Sequence, residues 1–219
     1  MASADIPPRL PRTLLIACGA LAREILMVVE ANDWQHVEVT CLPASFHNHP
    51  ERITDAMREK IRENKPNFDR IVCMFADCGT GGQLDAMIEE EGVERIPGAH
   101  CYEFYATSKV FHPMAEKELG TFYLTDYLAR QFDVLIMDGM GLTKHPELMP
   151  MYFGNYTRLV YLAQTDDASL QEKAKAAAEK LGLRYEYVFT GLGDLQTFLE
   201  DQNAGHETPE HVLEHTLEQ

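Results

Sequence analysis

The chain has 219 residues, of which 45% are hydrophobic and 25% charged, a composition typical of globular proteins. Its formal net charge of −16 repels phosphate backbones and anionic lipids, so we expect neither nucleic acid nor a membrane as a partner. We predict a cytoplasmic protein with reduced thiols, because no secretory signal or membrane-spanning segment is visible and five cysteines without regular spacing do not indicate a disulfide framework.

The predicted elements begin after a flexible N-terminal arm, residues 1–12, which holds three prolines. Short apolar runs of strand length then alternate with segments of helical periodicity. The strands predicted in the first half are 13–17, 37–42 and 70–76, and the helices are 19–31, 50–64 and 83–91.

The same alternation continues through the second half of the chain. Its predicted strands are 134–137, 158–163 and 185–189, and its predicted helices are 171–181, ended by Gly182, and 194–200. We expect one α/β domain over residues 13–200, a doubly wound, Rossmann-like fold with a mostly parallel sheet and helices on both faces. Residues 201–219 are predicted to form an acidic, flexible C-terminal tail.

Three cysteines stand in small-residue turns at predicted strand ends, namely Cys18, Cys78 and Cys101. Because the carboxyl ends of parallel strands face one crevice, we expect the three thiols to share a site. Helices predicted to start just after Cys18 and Cys78 would lower the pKa of both thiols and favour thiolates. Such thiolates can hold an iron–sulfur cluster with one open iron or a zinc ion with one open position, or two can act as an acid–base pair. Cys41 and Cys73, inside strands, are predicted to be buried and to pack as small hydrophobic residues.

The turn that contains Cys78 reads Asp-Cys-Gly-Thr-Gly-Gly over residues 77–82. Backbone N–H groups of Gly79, Thr80, Gly81 and Gly82 can point at an anion at the mouth of a helix, which predicts binding of a carboxylate or phosphate group. The turn lacks the Lys-Ser/Thr of a P-loop. The alternative is a tight strand–helix turn that needs flexible residues.

Further candidates for acid–base chemistry are His47, His100 and Glu103, with Cys78 as the nucleophile or base. His47 follows the second predicted strand and is preferred over His49. If residues 100–105 are extended, Cys101 and Glu103 share one face, and His100 lies on the other. The alternative for that segment is a half-buried strand with aromatic packing.

Several later polar residues have simpler interpretations. Thr125 and Asp126 are predicted to cap a helix or contact a ligand, and Asp167 and Asp194 to be N-caps. Residues 145–156, rich in methionine and aromatic side chains, are predicted to belong to the core or to an oligomer contact.

With these motifs in view, the chain resembles the bacterial and archaeal domain of unknown function family 1638. The stretches that carry the resemblance are 17–21, 42–51, 76–82, 97–103, 120–126, 152–156 and 190–194. Genes of that family often lie near corrinoid-dependent methyltransferases, so the resemblance implies a link to one-carbon or methyl-transfer metabolism. The chain lacks the cobalamin-binding Asp-x-His-x-x-Gly pattern, so we do not expect it to carry a corrinoid.

Together, these observations predict a cysteine-ligated metal protein, iron–sulfur or zinc, that serves corrinoid-linked methyl transfer, with Cys18, Cys78 and Cys101 as ligands. One alternative is a metal-free, cysteine-dependent enzyme that acts on a small carboxylate, with Cys18 or His100 as the partner of Cys78. Another is a non-catalytic partner of a methyltransferase system, docked through its acidic surface. A small-molecule ligand, a methyltransferase-system protein and an oligomer all stay open as partners.

Overall fold

Residues 10–204 are described by the computed structural model of the chain. Most of the predicted N-terminal arm (residues 1–9) and most of the predicted tail (residues 205–219) lie outside the described residues. The last helix continues through the first residues assigned to that tail.

The first half of the chain forms a four-stranded parallel sheet in the order β2-β1-β3-β4. Its strands are β1 Thr13–Cys18, β2 Val37–Leu42, β3 Arg70–Met74 and β4 Glu94–Arg95, and its connecting helices are α1 Ala22–Ala31, α2 Ile53–Asn64 and α3 Gln83–Glu91. The chain moves outward from β1 to β2 and then crosses back to β3. The strand order therefore reverses between β1 and β3, where open α/β sheets bind their ligands.

The sheet is covered on both faces because β1 alternates its contacts between two core clusters. Leu15 packs with α1, whereas Leu14 packs with α2 on the opposite face. Ile53, Met57 and Ile61 recur every four residues along α2 and are at most 1% exposed, so they form the helix face that lies on the sheet.

The second half forms a three-stranded parallel sheet in the order β5-β6-β7. Its strands are β5 Thr121–Leu124, β6 Arg158–Ala163 and β7 Arg184–Phe189. The remaining helices are α4 Cys101–Ala106, α5 Ser108–Lys117, α6 Asp126–Phe132, α7 Met149–Phe153, α8 Ala168–Leu181 and α9 Gly193–Ala204. Helix α9 returns to the first sheet, where Leu195 and Leu199 join the cluster around Leu15. We call the parts built on the two sheets the first and second lobes.

The predicted α/β fold with parallel strands and helices is confirmed, but the strands lie in two sheets rather than one. Residues 134–137, predicted as a strand, lie in a π-helical turn, Asp133–Asp138. In this segment only Ile136 is buried, and Val134 is 59% exposed, so the apolar run does not form a buried strand. Among the described residues, no helix has the length and apolarity required to cross a membrane.

Side-chain caps begin two helices of the second lobe. Asp167 accepts hydrogen bonds from the backbone N–H groups of Ser169 and Leu170 at the start of α8, and Thr125 accepts one from Leu128 at the start of α6. At the other end of α8, Gly182 has φ +68, which a glycine adopts without strain.

A buried arginine ties the amino ends of the second sheet together. Arg158 on β6 is 2% exposed, and its guanidinium donates to Glu186 on β7 at 2.9 Å and to the carbonyl of Met114 at 2.9 Å. Its Nε donates to Thr121 on β5 at 2.8 Å and lies 3.3 Å from Glu118. Three consecutive strands and α5 therefore share one cation.

We predict that Arg158→Ala lowers the free energy of unfolding by about 2–5 kcal/mol, because it empties a buried position and leaves the carbonyl of Met114 and the hydroxyl of Thr121 without this donor. The matched control is Arg184→Ala, which removes an arginine that also contacts Glu118, at 2.8 Å, but is 61% exposed. We expect that change to cost less than about 1 kcal/mol. Urea unfolding followed by circular dichroism measures both, and equal losses would show that burial of Arg158 does not set its contribution.

Candidate functional site

Three cysteines from separate segments line one cavity at the boundary between the lobes. Cys18 ends β1, Cys78 lies in the loop between β3 and α3, and Cys101 is the first residue of α4. The cavity has a volume of about 30 Å³, which is room for about one water molecule or a single ion. The remaining lining is mainly apolar, and its polar residues are His47 from the first lobe and Thr125 and Tyr127 from the second. We call this cavity the thiol pocket.

The pocket lies at the carboxyl ends of β1 and β3, where the strand order of the first sheet reverses. Backbone hydrogen bonds hold its walls together. The N–H of Cys78 donates to the carbonyl of Ala99 at 3.0 Å, which ties the Cys78 turn to the segment before Cys101. The N–H of Gly19 donates to Leu42 at 2.9 Å and ties the Cys18 turn to the end of β2. A Cβ atom at Gly19 would lie 3.3 Å from backbone atoms of Leu42 and Ala44, so this close approach favours glycine.

The thiols of the pocket are held in the neutral form. Burial raises the pKa of Cys18 to about 11 and that of Cys78 to about 12. Burial also raises the pKa of Cys101 well above its ordinary value, and the charges of Cys78 and Cys18 add to this shift. We expected helix dipoles to lower the pKa values of Cys18 and Cys78, but burial raises both. Helices α1 and α3 begin four and five residues after these cysteines, and the dipole effect is confined to the first turn.

The predicted metal role of Cys18, Cys78 and Cys101 stays a prediction. The three side chains line one pocket, but within residues 10–204 no group of three or more His, Cys, Asp or Glu side chains is arranged to hold a metal ion. The thiols would have to approach one another to share an ion.

In the glycine-rich turn, backbone N–H groups predicted to bind an anion donate instead to the carboxylate of Asp77 in the same turn. Asp77 accepts hydrogen bonds from Thr80 Oγ1 at 2.6 Å and from the N–H groups of Gly82 and Gly81 at 2.9 and 3.2 Å. The hydrogen bond from Thr80 and those from the glycines lower the pKa of Asp77. A ligand anion at Gly79, Thr80, Gly81 and Gly82 would compete with this carboxylate, so the predicted anion site stays a prediction.

The structure separates the two histidines that follow β2. His47, in the short helical turn Ala44–Asn48, lines the thiol pocket. His47 is exposed, as His49 is, but desolvation by the neighbouring atoms and, secondarily, His100 lower its pKa, so the imidazole is neutral at pH 7. His49 is exposed and lies 3.4 Å from Glu51. His100 is exposed and directly precedes α4.

The expectation that Cys101 and Glu103 share one face of an extended segment is wrong. Residues 101–106 form α4, and side chains two positions apart on a helix point in different directions. Glu103 instead accepts hydrogen bonds from Ser108 Oγ at 2.7 Å and from the N–H of Ala99 at 3.1 Å, and it lies 3.1 Å from His112. The bonds from Ser108 and Ala99 outweigh burial and lower the pKa of Glu103. Glu103 lines a separate cavity of about 250 Å³.

Sequence reasoning missed Tyr127, which the second lobe contributes to the pocket. Burial raises the pKa of this phenol, and the nearby Cys18 adds to the shift. The signal was present in Thr-Phe-Tyr-Leu-Thr-Asp over residues 121–126, which is a short strand followed by a capping threonine. Recognising β5 there would have placed Tyr127 just after the carboxyl end of a strand.

The chain belongs to the family described as "Protein of unknown function (DUF1638)", which matches residues 41–199, so the predicted family is confirmed. Cys78 and Cys101 lie inside the matched residues, and Cys18 precedes them. No curated protein matches the chain.

One solved structure with a detectable match is an ornithine carbamoyltransferase from Pyrococcus furiosus, at 14% identity and a TM-score of 0.26. The match covers 81% of this chain and 54% of that one, so this chain spans about half the length of the carbamoyltransferase. Nothing about activity follows from a likeness of this extent.

We predict that alkylation of Cys78 by iodoacetamide accelerates about tenfold per pH unit from about pH 7 to 10, because its pKa lies near 12. Free glutathione, the reference thiol, should level off near about pH 9. Mass spectrometry of the modified peptides measures each cysteine, and continued protection of Cys73, which is 0% exposed, reports that the fold persists. A plateau for Cys78 at or below the glutathione value would contradict the raised pKa.

Proposed function

We propose that the thiol pocket binds a thiophilic metal group, a zinc ion or an iron–sulfur cluster, through Cys18, Cys78 and Cys101. One observation carries the proposal. Three thiols from distant positions in the sequence line one mainly apolar cavity, which lies where the strand order of the first sheet reverses. Soft thiolate ligands select zinc, copper(I) and iron–sulfur groups over harder cations.

The chemistry of the donors fits a metal because a bound cation would stabilise the thiolate forms that burial disfavours, and the displaced protons would pass to solvent. Three thiolates around Zn²⁺ leave a fourth position for a substrate or water, as in catalytic zinc sites. His47 lines the same pocket, is neutral at pH 7 and has the donor nitrogen that suits a fourth ligand. The site therefore offers either three sulfur donors or three sulfur donors and one nitrogen.

Cavity size favours a single ion over a cluster. A volume of about 30 Å³ accommodates one zinc ion with Zn–S bonds of about 2.3 Å once the thiols approach one another. An iron–sulfur cluster adds several iron and sulfide atoms and needs a wider pocket. Zinc is accordingly the favoured occupant.

The proposed role in methyl transfer rests on the family resemblance. A zinc ion with an open position polarises a bound ligand and, in the case of a thiol, deprotonates it. The protein would supply the sulfur donors and limit the access of water with its apolar lining, and Tyr127 and His47 line the same pocket. The proposal that the partner is a protein of a methyltransferase system also rests on the family resemblance.

A metal-free thiol enzyme is the second candidate, favoured by the absence of a ready ligand set among the described residues. In that case His47, neutral and on the same pocket, would take the proton of Cys78 before attack on a small substrate. The raised pKa of Cys78 requires such a base.

We predict that the protein, purified anaerobically and stripped with a chelator, binds one equivalent of Zn²⁺ in competition with a chromophoric chelator. Cys18→Ser, Cys78→Ser and Cys101→Ser should each weaken binding at least about 100-fold, because each removes one thiolate ligand. The matched control, Cys41→Ser, removes an exposed cysteine outside the pocket and should leave binding unchanged.

The pH dependence gives a second readout of the same experiment. Since the pocket thiols are protonated at pH 7, binding must displace protons, and the affinity should rise about tenfold per pH unit for each proton displaced. Loss of binding in Cys41→Ser, or equal affinity in all four variants, would show that the thiol pocket does not bind zinc. Visible absorbance after anaerobic reconstitution with iron and sulfide would identify a cluster instead.

A further inference from the structure

A buried ion pair crosses the boundary between the lobes beside the thiol pocket. Glu24 on α1 of the first lobe is 1% exposed, and its Oε1 lies 3.7 Å from Nη2 of Arg130 on α6 of the second lobe. The same nitrogen lies 3.9 Å from Oδ2 of Asp126. One guanidinium is thus placed between two carboxylates from different lobes.

The bonding of this pair is incomplete. Charged hydrogen bonds are usually about 2.7–2.9 Å long, and both distances exceed that range. Glu24 Oε2 and Arg130 Nη1 are buried, and neither has a hydrogen-bond partner among the described residues. A buried polar atom without a partner is destabilising, and more so when it is charged.

Asp126, by contrast, is fully bonded within the second lobe. Its carboxylate accepts hydrogen bonds from Tyr161 at 2.7 Å, from the N–H groups of Gln164 and Thr165 at 3.0 and 3.1 Å, and from Thr165 Oγ1 at 2.5 Å. These hydrogen bonds hold Asp126 in place. The longer and incompletely bonded contact is the one between Glu24 and Arg130, where the lobes meet.

The two helices that carry the pair also contribute to the lining of the pocket. Leu21, one turn before Glu24, lines the pocket at the start of α1, and Tyr127 and Leu128, within one turn of Arg130, line it from α6. A change in the spacing of α1 and α6 therefore changes the width of the pocket.

We infer that Glu24 and Arg130 are positioning residues that set the spacing of the two lobes across the thiol pocket. The pair holds the walls close enough to shield the thiols. The unpartnered atoms leave room for a tighter contact when the lobes approach each other around an occupant. This inference concerns the spacing of the lobes and does not depend on the identity of an occupant.

The test is the alkylation rate of each cysteine in the metal-free protein, with a chelator present throughout. In Glu24→Gln and Arg130→Met, we expect Cys18, Cys78 and Cys101 to react at least about tenfold faster, because the pocket opens more often. Arg130→Lys, which keeps the charge, should restore most of the protection. Glu30→Gln, a change at an exposed position of the same helix as Glu24 whose charge does not act on Glu24, is the matched control and should not alter the rates.

Cys73 separates positioning from general destabilisation, because it is 0% exposed in β3, away from the lobe boundary. We expect its rate to stay unchanged. Unchanged pocket thiols, or a parallel increase at Cys73, would overturn the inference. If a single variant does not fold, the double variant Glu24→Met and Arg130→Met, which leaves no unpaired charge, must show the same selective increase. Failure of zinc to bind would leave these rates, and the inference, unaffected.

Discussion

The reversal of strand order between β1 and β3 is the constraint on which the thiol pocket depends. It leaves a crevice at the carboxyl ends of these two strands, and the chain must pass over that crevice in the turns that carry Cys18 and Cys78. The hydrogen bond from Cys78 to Ala99 then brings the start of α4, and with it Cys101, to the same place. Three side chains far apart in sequence meet because backbone bonds, rather than contacts among the thiols, hold the turns.

Burial decides the chemistry of the pocket. The apolar lining that excludes water also removes the solvation that thiolates need, so all three pocket thiols have raised pKa values. The pocket thiols are therefore protonated, and so weak nucleophiles, at neutral pH. The same desolvation raises the pKa of Glu24 at the lobe boundary, where Arg130 acts against the shift.

The two lobes differ in how firmly their polar groups are held. In the second lobe, Arg158 and Asp126 are buried with their hydrogen bonds made, and both link neighbouring elements of the sheet. Between the lobes, the contact of Glu24 with Arg130 is longer and incomplete. The polar groups of the second lobe are therefore held by complete sets of hydrogen bonds, whereas the contact between Glu24 and Arg130 has room to shorten.

The sequence by itself determined the elements whose signal is local. The strand Val37–Leu42, the helix Gln83–Glu91 and the strand Arg158–Ala163 have the bounds predicted from their local sequence. Arg158–Ala163 is a compact apolar run buried at every position, and Gln83–Glu91 buries Leu84, Met87 and Ile88 at helical spacing. Parallel topology, which follows from the alternation of strands and helices, also placed Cys18 and Cys78 at one edge.

Only the tertiary structure decided the division into two sheets, the helical turn at residues 133–138 and the separation of Glu103 from Cys101. It also decided that the amides of Gly81 and Gly82 bind Asp77 and that the thiols are neutral. These features depend on which groups from distant segments come into contact and on how much water remains around them. Neither the spacing of residues nor their type along the chain contains that information.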